Sequence, residues 1–180
     1  MWKSIIIIAL LIIAGLILYE LFIILIYRKW RRKSIYDMAV EKAKETGKRL
    51  FIIGDPHNDN KSLDGKADYG CGDLCLDKET GCDLCPTGVK DSLENFLPSL
   101  PANSYVIFVS CVLEYVDNFE QVKKELFRVS GGDLFVVNIE PNTLKTLLFP
   151  NLGYGGKFRR KRIIYSAPPY SKDITYKELK

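Results

Sequence analysis

Four of the chain's five cysteines crowd into one short stretch, Cys71-x3-Cys75-x6-Cys82-x2-Cys85. Thiols at this density can hold a tetrahedral zinc ion, close two disulfides or stay reduced, and the spacing alone admits all three. A zinc ion would take the place of a missing apolar core in a loop, although zinc sites usually separate their cysteine pairs by more residues. Disulfides fit an oxidising compartment or a mature particle better than a cytosol. His57 is the only histidine, and an imidazole suits a base or a fifth metal ligand. Cys111 stands alone after an apolar run, where a thiol tends to be buried and inert.

These residues belong to a chain of 180 residues, 47% hydrophobic and 27% charged. That length holds at most one ordinary domain and excludes a multidomain enzyme. The mean hydropathy of −0.01 averages two unlike parts. From Ile5 to Tyr27 only Gly15 and Glu20 lie outside the apolar set. At ~1.5 Å per residue such a run crosses a hydrocarbon core of ~30 Å, so one transmembrane helix is expected. No small-x-small cleavage site follows it, which argues against a signal peptide. Arg28, Lys29, Arg31, Arg32 and Lys33 follow the span whereas Lys3 precedes it, so the positive-inside rule predicts a single-pass protein with its C-terminal domain on the cytosolic side. Trp2 and Trp30 bracket the span at headgroup level. Glu20 is the anomaly, since a carboxylate in hydrocarbon must be protonated, reach the basic flank or meet a partner.

The rest reads as an α/β domain with a mostly parallel sheet. The organisation expected is an anchor with its basic flank over 1–33, the domain over 34–156 with a cysteine-rich insertion at 55–88, and a basic strand and tail over 157–180. Ser34-x-x-Asp37 is a capping box that predicts a helix start, with Ile35, Met38, Ala39 and Ala43 on one face and Gly47 as the stop. Leu50–Ile53 reads as a buried strand ending at Gly54. Residues 55–88 show no sustained period. Val89, Leu93, Phe96 and Leu97 share a helical face, Tyr105–Val109 is a central strand, Asp117-x-x-Glu120 caps a helix that Gly131-Gly132 ends, and Leu134–Val137 is a further buried strand. A short helix containing Leu144, Leu147 and Leu148 follows, then a basic strand from Phe158 to Ser166 and an irregular, Pro-rich tail.

The stretch Ser104–Ile139 carries an apolar strand, then Val112-Leu113-Glu114-Tyr115-Val116-Asp117, a helix, Arg128-Val129, Gly131-Gly132 and another strand. It resembles class I S-adenosylmethionine-dependent methyltransferases, in which this is the fourth strand, its helix and the fifth strand. The resemblance covers about a fifth of the chain directly and implies a small Rossmann-like fold. Carried backwards, it makes Leu50–Gly54 the first strand and Gly54-Asp55-Pro56-His57-Asn58-Asp59-Asn60 the cofactor turn. The family favours two glycines in that turn, because bare backbone N–H groups bind the cofactor's carboxylate end. This chain has one, and Pro56 removes a donor. The resemblance further implies Asp77 as the ribose-binding acid, Asp91 near the adenine, and a cofactor lying between the Gly54 turn and the Asp91 and Ser110–Cys111 region. S-adenosylmethionine and zinc are thus the two expected cofactors, with Gly54, Asp55, His57, Asp77, Asp91 and Cys111 around the first, and Cys71, Cys75, Cys82 and Cys85 around the second. Asp68-Tyr69-Gly70-Cys71-Gly72-Asp73 looks like the family's glycine motif, but too few residues separate it from the Tyr105 strand for the elements that must intervene. Small-molecule methyltransferases work largely by aligning donor and acceptor, so no catalytic residue follows from the resemblance.

Two function classes fit. One is a membrane-anchored methyltransferase of unknown acceptor. The other is a catalytically inactive structural or binding protein with a protein partner in an assembly, a layout similar to that of small membrane-anchored proteins of large DNA virus particles. Charge bears on partners: residues 1–33 carry +5, residues 34–156 carry −7 and residues 157–180 carry +6, for a total of +4. Lys157-Phe158-Arg159-Arg160-Lys161-Arg162 with Tyr154, Tyr165 and Tyr170 matches phosphate neutralisation and base stacking. No nucleic-acid motif accompanies it, and the anionic headgroups of a lipid bilayer are the nearer phosphate, so lipid is expected there and nucleic acid is not.

Overall fold

The computed structural model describes residues 2–57, 67, 69–139, 142–152, 159–166 and 174–179. It begins with helix α1 (Trp2–Phe22), which passes through a π-helical turn (Ile23–Tyr27) into α2 (Arg28–Thr46) without leaving helical geometry. The 43-residue run Ser4–Thr46 is long and apolar enough in its first half to cross a membrane. Ile5 to Leu18 is exposed along its length, with no described part of the protein covering it. The capping signal at Ser34 starts nothing. The upstream apolar helix already supplies carbonyls for the N–H groups that a cap would serve, and Asp37 instead pairs with Lys33 one turn back. The predicted stop is correct: Gly47 ends α2 at φ +66°.

Five parallel strands follow, β1 (Arg49–Ile53), β2 (Leu74–Leu76), β3 (Gly88–Val89), β4 (Tyr105–Ser110) and β5 (Leu134–Val137), in the order β3-β2-β1-β4-β5. This is a Rossmann-like α/β sheet, as the alternating strands and helices implied. Successive residues of the inner strands serve opposite faces. Phe51, Ile53, Ile107 and Val109 pack under α4 (Phe119–Ser130), which buries Phe119, Val122, Leu126 and Val129. Leu50, Ile52, Val106 and Phe108 pack under α2 through Ile35 and Ala39. Asn118, rather than Asp117, caps α4 by accepting from the Gln121 N–H. Val89 lies in β3 and not on a helix; α3 is confined to Leu93–Phe96, with a 3-10 turn at Leu97–Ser99.

The described part of 55–88 is less irregular than its sequence suggests, since it supplies β2 and begins β3. Parallel neighbours normally need a crossover of about a dozen residues, usually a helix. Only residues 77–87 join β2 to β3. Cys75, Cys82 and Cys85 are buried on the α2 face of the sheet, so disulfide-linked loop occupies ground that a crossover helix would cover.

After β5 come α5 (Leu144–Leu148), β6 (Arg162–Tyr165) and β7 (Thr175–Glu178). The predicted basic strand is therefore present over Arg162–Tyr165, while Tyr154, Lys157, Phe158 and Tyr170 lie outside the described residues. The tail is not wholly irregular: β7 pairs antiparallel with β6, Arg162 opposite Glu178.

Contacts at the two ends of α2 fix the direction of the sheet. Lys48, just past the end of α2, bonds Asp133 at the start of β5 at 2.7 Å. Near the other end of α2, the Arg32 guanidinium lies over the Tyr69 ring, Tyr36 meets Phe108 edge-on, and the Tyr69 hydroxyl donates to the Gly54 carbonyl. The strands thus run back along α2, and their C-terminal ends point towards the apolar helix.

Candidate functional site

In sheets of this order ligands bind outside the C-terminal strand ends, where the order reverses, here between β1 and β4. Gly54, at φ +100°, ends β1; a Cβ there would stand 2.8 Å from the Ser110 carbonyl oxygen. The position demands glycine because the ends of β1 and β4 approach one another, which is a packing reason. Across the gap Cys111 holds φ +54°, a conformation uncommon outside glycine. It is partly exposed, carries no disulfide, and donates its backbone N–H to the Val137 carbonyl.

Asp77 follows β2 as expected, but its carboxylate is engaged by neighbouring backbone. Oδ1 accepts from the N–H groups of Glu79 and Thr80 at 2.9 Å and from the Thr80 hydroxyl, and Oδ2 accepts from the Asp55 N–H at 3.3 Å. Asp55 in turn accepts from the His57 N–H. Asp91 lies past β3 and accepts from the Ser92 N–H and the Asn95 amide at the start of α3. Gly54, Asp55, His57 and Asp77 are therefore brought together at one edge by β1, β2 and the turn after each. Asp91 and Cys111 reach the same edge from β3 and β4.

The four clustered cysteines form two bridges, Cys71–Cys85 and Cys75–Cys82. The His57 imidazole stands 3.9 Å from Cys71 Sγ, and the ligand atoms of His57, Cys71 and Cys85 lie within 4.8 Å of one another. Two thiolates and an imidazole are a zinc-competent donor set, but a bridged sulfur is not a thiolate, so this set requires the Cys71–Cys85 bond to be reduced. Two disulfides are also the chemistry of an oxidising compartment, opposite to the side predicted from Arg28–Lys33.

Glu114 did not stand out in the sequence as a site residue. It is buried at the same edge, where Oε1 accepts from the Ile139 N–H at 2.7 Å and Oε2 has no partner among the described residues. Burial pushes its carboxyl above the usual range, against the opposing pull of the Ile139 N–H and of Arg160 and Arg28. The signal available in sequence was an acid flanked by Leu113, Tyr115 and Val116.

The basic tail is only partly a surface. The Arg162 guanidinium is buried and donates to the Val116 carbonyl at 2.5 Å and to Glu178 at 3.0 Å, with the Phe119 and Tyr176 rings beside it. Arg160 is buried too and donates twice to the Leu152 carbonyl. Arg159 and Lys161 are exposed, and Lys161 pairs with Asp117. Neither Arg160 nor Arg162 presents its charge to headgroups.

No family model, curated protein or solved structure matches the chain. The parallel sheet and the contacts at its C-terminal edge are thus the ground for any functional reading.

Proposed function

We propose that the chain is a membrane-anchored protein whose Rossmann-like domain is a small S-adenosylmethionine-dependent methyltransferase. One observation carries this reading: the all-parallel order β3-β2-β1-β4-β5, with its reversal between Gly54 and Cys111 and an acid, Asp77, at the end of β2. The Gly54 turn would take the methionine end of the cofactor, Asp77 the ribose and Asp91 the adenine side. The exposed apolar surface of α1 supports the anchor. The acceptor must be one that reacts when aligned with the methyl donor, because no nucleophile or general base of the chain is required by such a transfer.

A second reading, a binding or structural protein on an inherited fold, is favoured by the engagement of Asp77 with its own turn and by Pro56 in the cofactor loop. Calorimetric titration of the full chain in nanodiscs separates them. A saturable heat with S-adenosylmethionine and with S-adenosylhomocysteine is expected. A folded protein giving no heat at millimolar ligand overturns the methyltransferase and leaves the binding protein.

A further inference from the structure

Helix α5 has its faces reversed for a helix in water. The threonines at its N-terminal end point inward, Thr143 8% and Thr146 2% exposed and bonded to one another through their hydroxyls at 2.8 Å. The apolar residues point out: Leu147, Leu148, Phe149 and Leu152 are 66%, 61%, 56% and 41% exposed. A cluster of this kind on one short segment marks a contact with something apolar.

Its place in the fold says what that is. The backbone N–H of Leu144 donates to the Glu20 carboxylate, within the apolar helix. Eight residues separate Glu20 from Arg28, so α5 meets the helix about 12 Å below the start of the basic flank. If Arg28–Lys33 marks the headgroups, α5 and Phe149–Leu152 stand just inside the acyl chains, a little deeper than the ~5–10 Å to which interfacial helices bury their apolar faces. Lys145, on α5 itself, is exposed and carries a charge of the sign that anionic headgroups attract. The strands also end on this side, so the edge carrying Gly54, Asp77 and Cys111 faces the same way as α5.

We propose that this edge of the domain lies against the bilayer, with α5 and Phe149–Leu152 inserted as a second membrane contact beside the spanning helix. The inference rests on the anchor reading and not on methyl transfer. It gives Glu20 a purpose: the carboxylate holds the inserted segment to the anchor by closing an N–H that would otherwise face hydrocarbon. It also defines the partner of the edge as a phospholipid surface.

The test uses the full chain with Trp2→Phe and Trp30→Phe and one new tryptophan at a time, reconstituted in vesicles of phosphatidylcholine and phosphatidylserine with brominated acyl chains. Ile13→Trp reports the anchor, Leu148→Trp the inserted segment, and Ala102→Trp an exposed position just before β4, at the opposite edge of the sheet. Ile13→Trp and Leu148→Trp should each lose roughly half of their emission or more, the latter most with bromine placed near the headgroup, while Ala102→Trp keeps its emission. Leu148→Trp emission matching that of Ala102→Trp, with Ile13→Trp quenched, overturns the insertion and leaves the anchor standing. An unquenched but blue-shifted Leu148→Trp whose emission depends on protein density would assign the surface to a second copy, and this too overturns the proposal. An unquenched Ile13→Trp removes the anchor and the insertion together.

Discussion

The carboxylate of Asp77 closes the turn after β2 and reaches across to the backbone N–H of Asp55 after β1, joining the two loops that would enclose a cofactor. A structural and a ligand-binding role for this acid differ in what charge they need. Asp77→Asn retains an acceptor for Glu79 and Thr80 but turns an amide NH2 towards the Asp55 N–H, so stability should fall by about 1 kcal/mol, whereas Asp77→Ala leaves all of these donors unpaired and should lose about 1–3 kcal/mol. If Asp77 also holds a ribose, Asp77→Asn should weaken S-adenosylhomocysteine binding at least tenfold by calorimetry. Unchanged binding in a stable Asp77→Asn protein would remove Asp77 from the cofactor site.

The cysteines give a count. Alkylation of unfolded, unreduced protein should modify one thiol, Cys111, and five after reduction, read by mass spectrometry. The Cys71–Cys85 bridge spans a separation of 14 residues, and closing a loop of that size is worth about 3 kcal/mol. Urea melts with and without reductant should differ by that order. Five labelled thiols before reduction would refute the bridges, and reduced protein should then be tested for zinc at His57, Cys71 and Cys85.

Glu114 predicts a pH dependence with a definite sign. Burial raises its folded carboxyl above the unfolded value, so its contribution to stability is complete below the unfolded pKa and is lost as pH rises through the folded pKa. The Glu114 contribution should therefore decline from acidic towards alkaline pH. Glu114→Gln, which keeps an acceptor for the Ile139 N–H, should flatten that slope. Parallel wild-type and Glu114→Gln curves would show that the carboxyl is not perturbed.

The tail's arginines should separate by burial. Arg162→Ala strips partners from the Val116 carbonyl and Glu178 and should cost about 2–3 kcal/mol in urea melts. Arg159→Ala, at an exposed position, should stay within about 0.5 kcal/mol. Equal effects would place both side chains on the surface.

Much of this was legible in sequence for physical reasons. Strands β1 and β4 lie inside the sheet and β5, at its edge, is buried along its length, so the runs Phe51-Ile52-Ile53, Tyr105–Val109 and Leu134–Val137 are continuously apolar. Helix α4 announces itself by period, and Gly47 and Gly131 by the left-handed turns that they supply. Strands β2 and β3 have three and two residues, too few to show a period, and they exist through pairing with β1 and through the bridges beside them. The Ser34 box is sound as a local signal, but helix continuity overrode it. Glu20 advertised a need for a partner without naming one, because Leu144 is 124 residues away. The pairing of β7 with β6 was hidden for another reason, since Thr175–Glu178 is exposed along its length and carries no apolar run.

The unbroken helix from Trp2 to Thr46 has a mechanical consequence. A domain on a floppy tether explores a half-sphere; this one, in a bilayer, would have no swivel and would travel with a set height and azimuth. Its encounters become a search in two dimensions among molecules that present themselves at that height. One residue inserted into Arg28–Lys33 would lift the domain by only ~1.5 Å but turn it by about 100° around the helix axis, altering what it faces far more than how far it stands from the lipid.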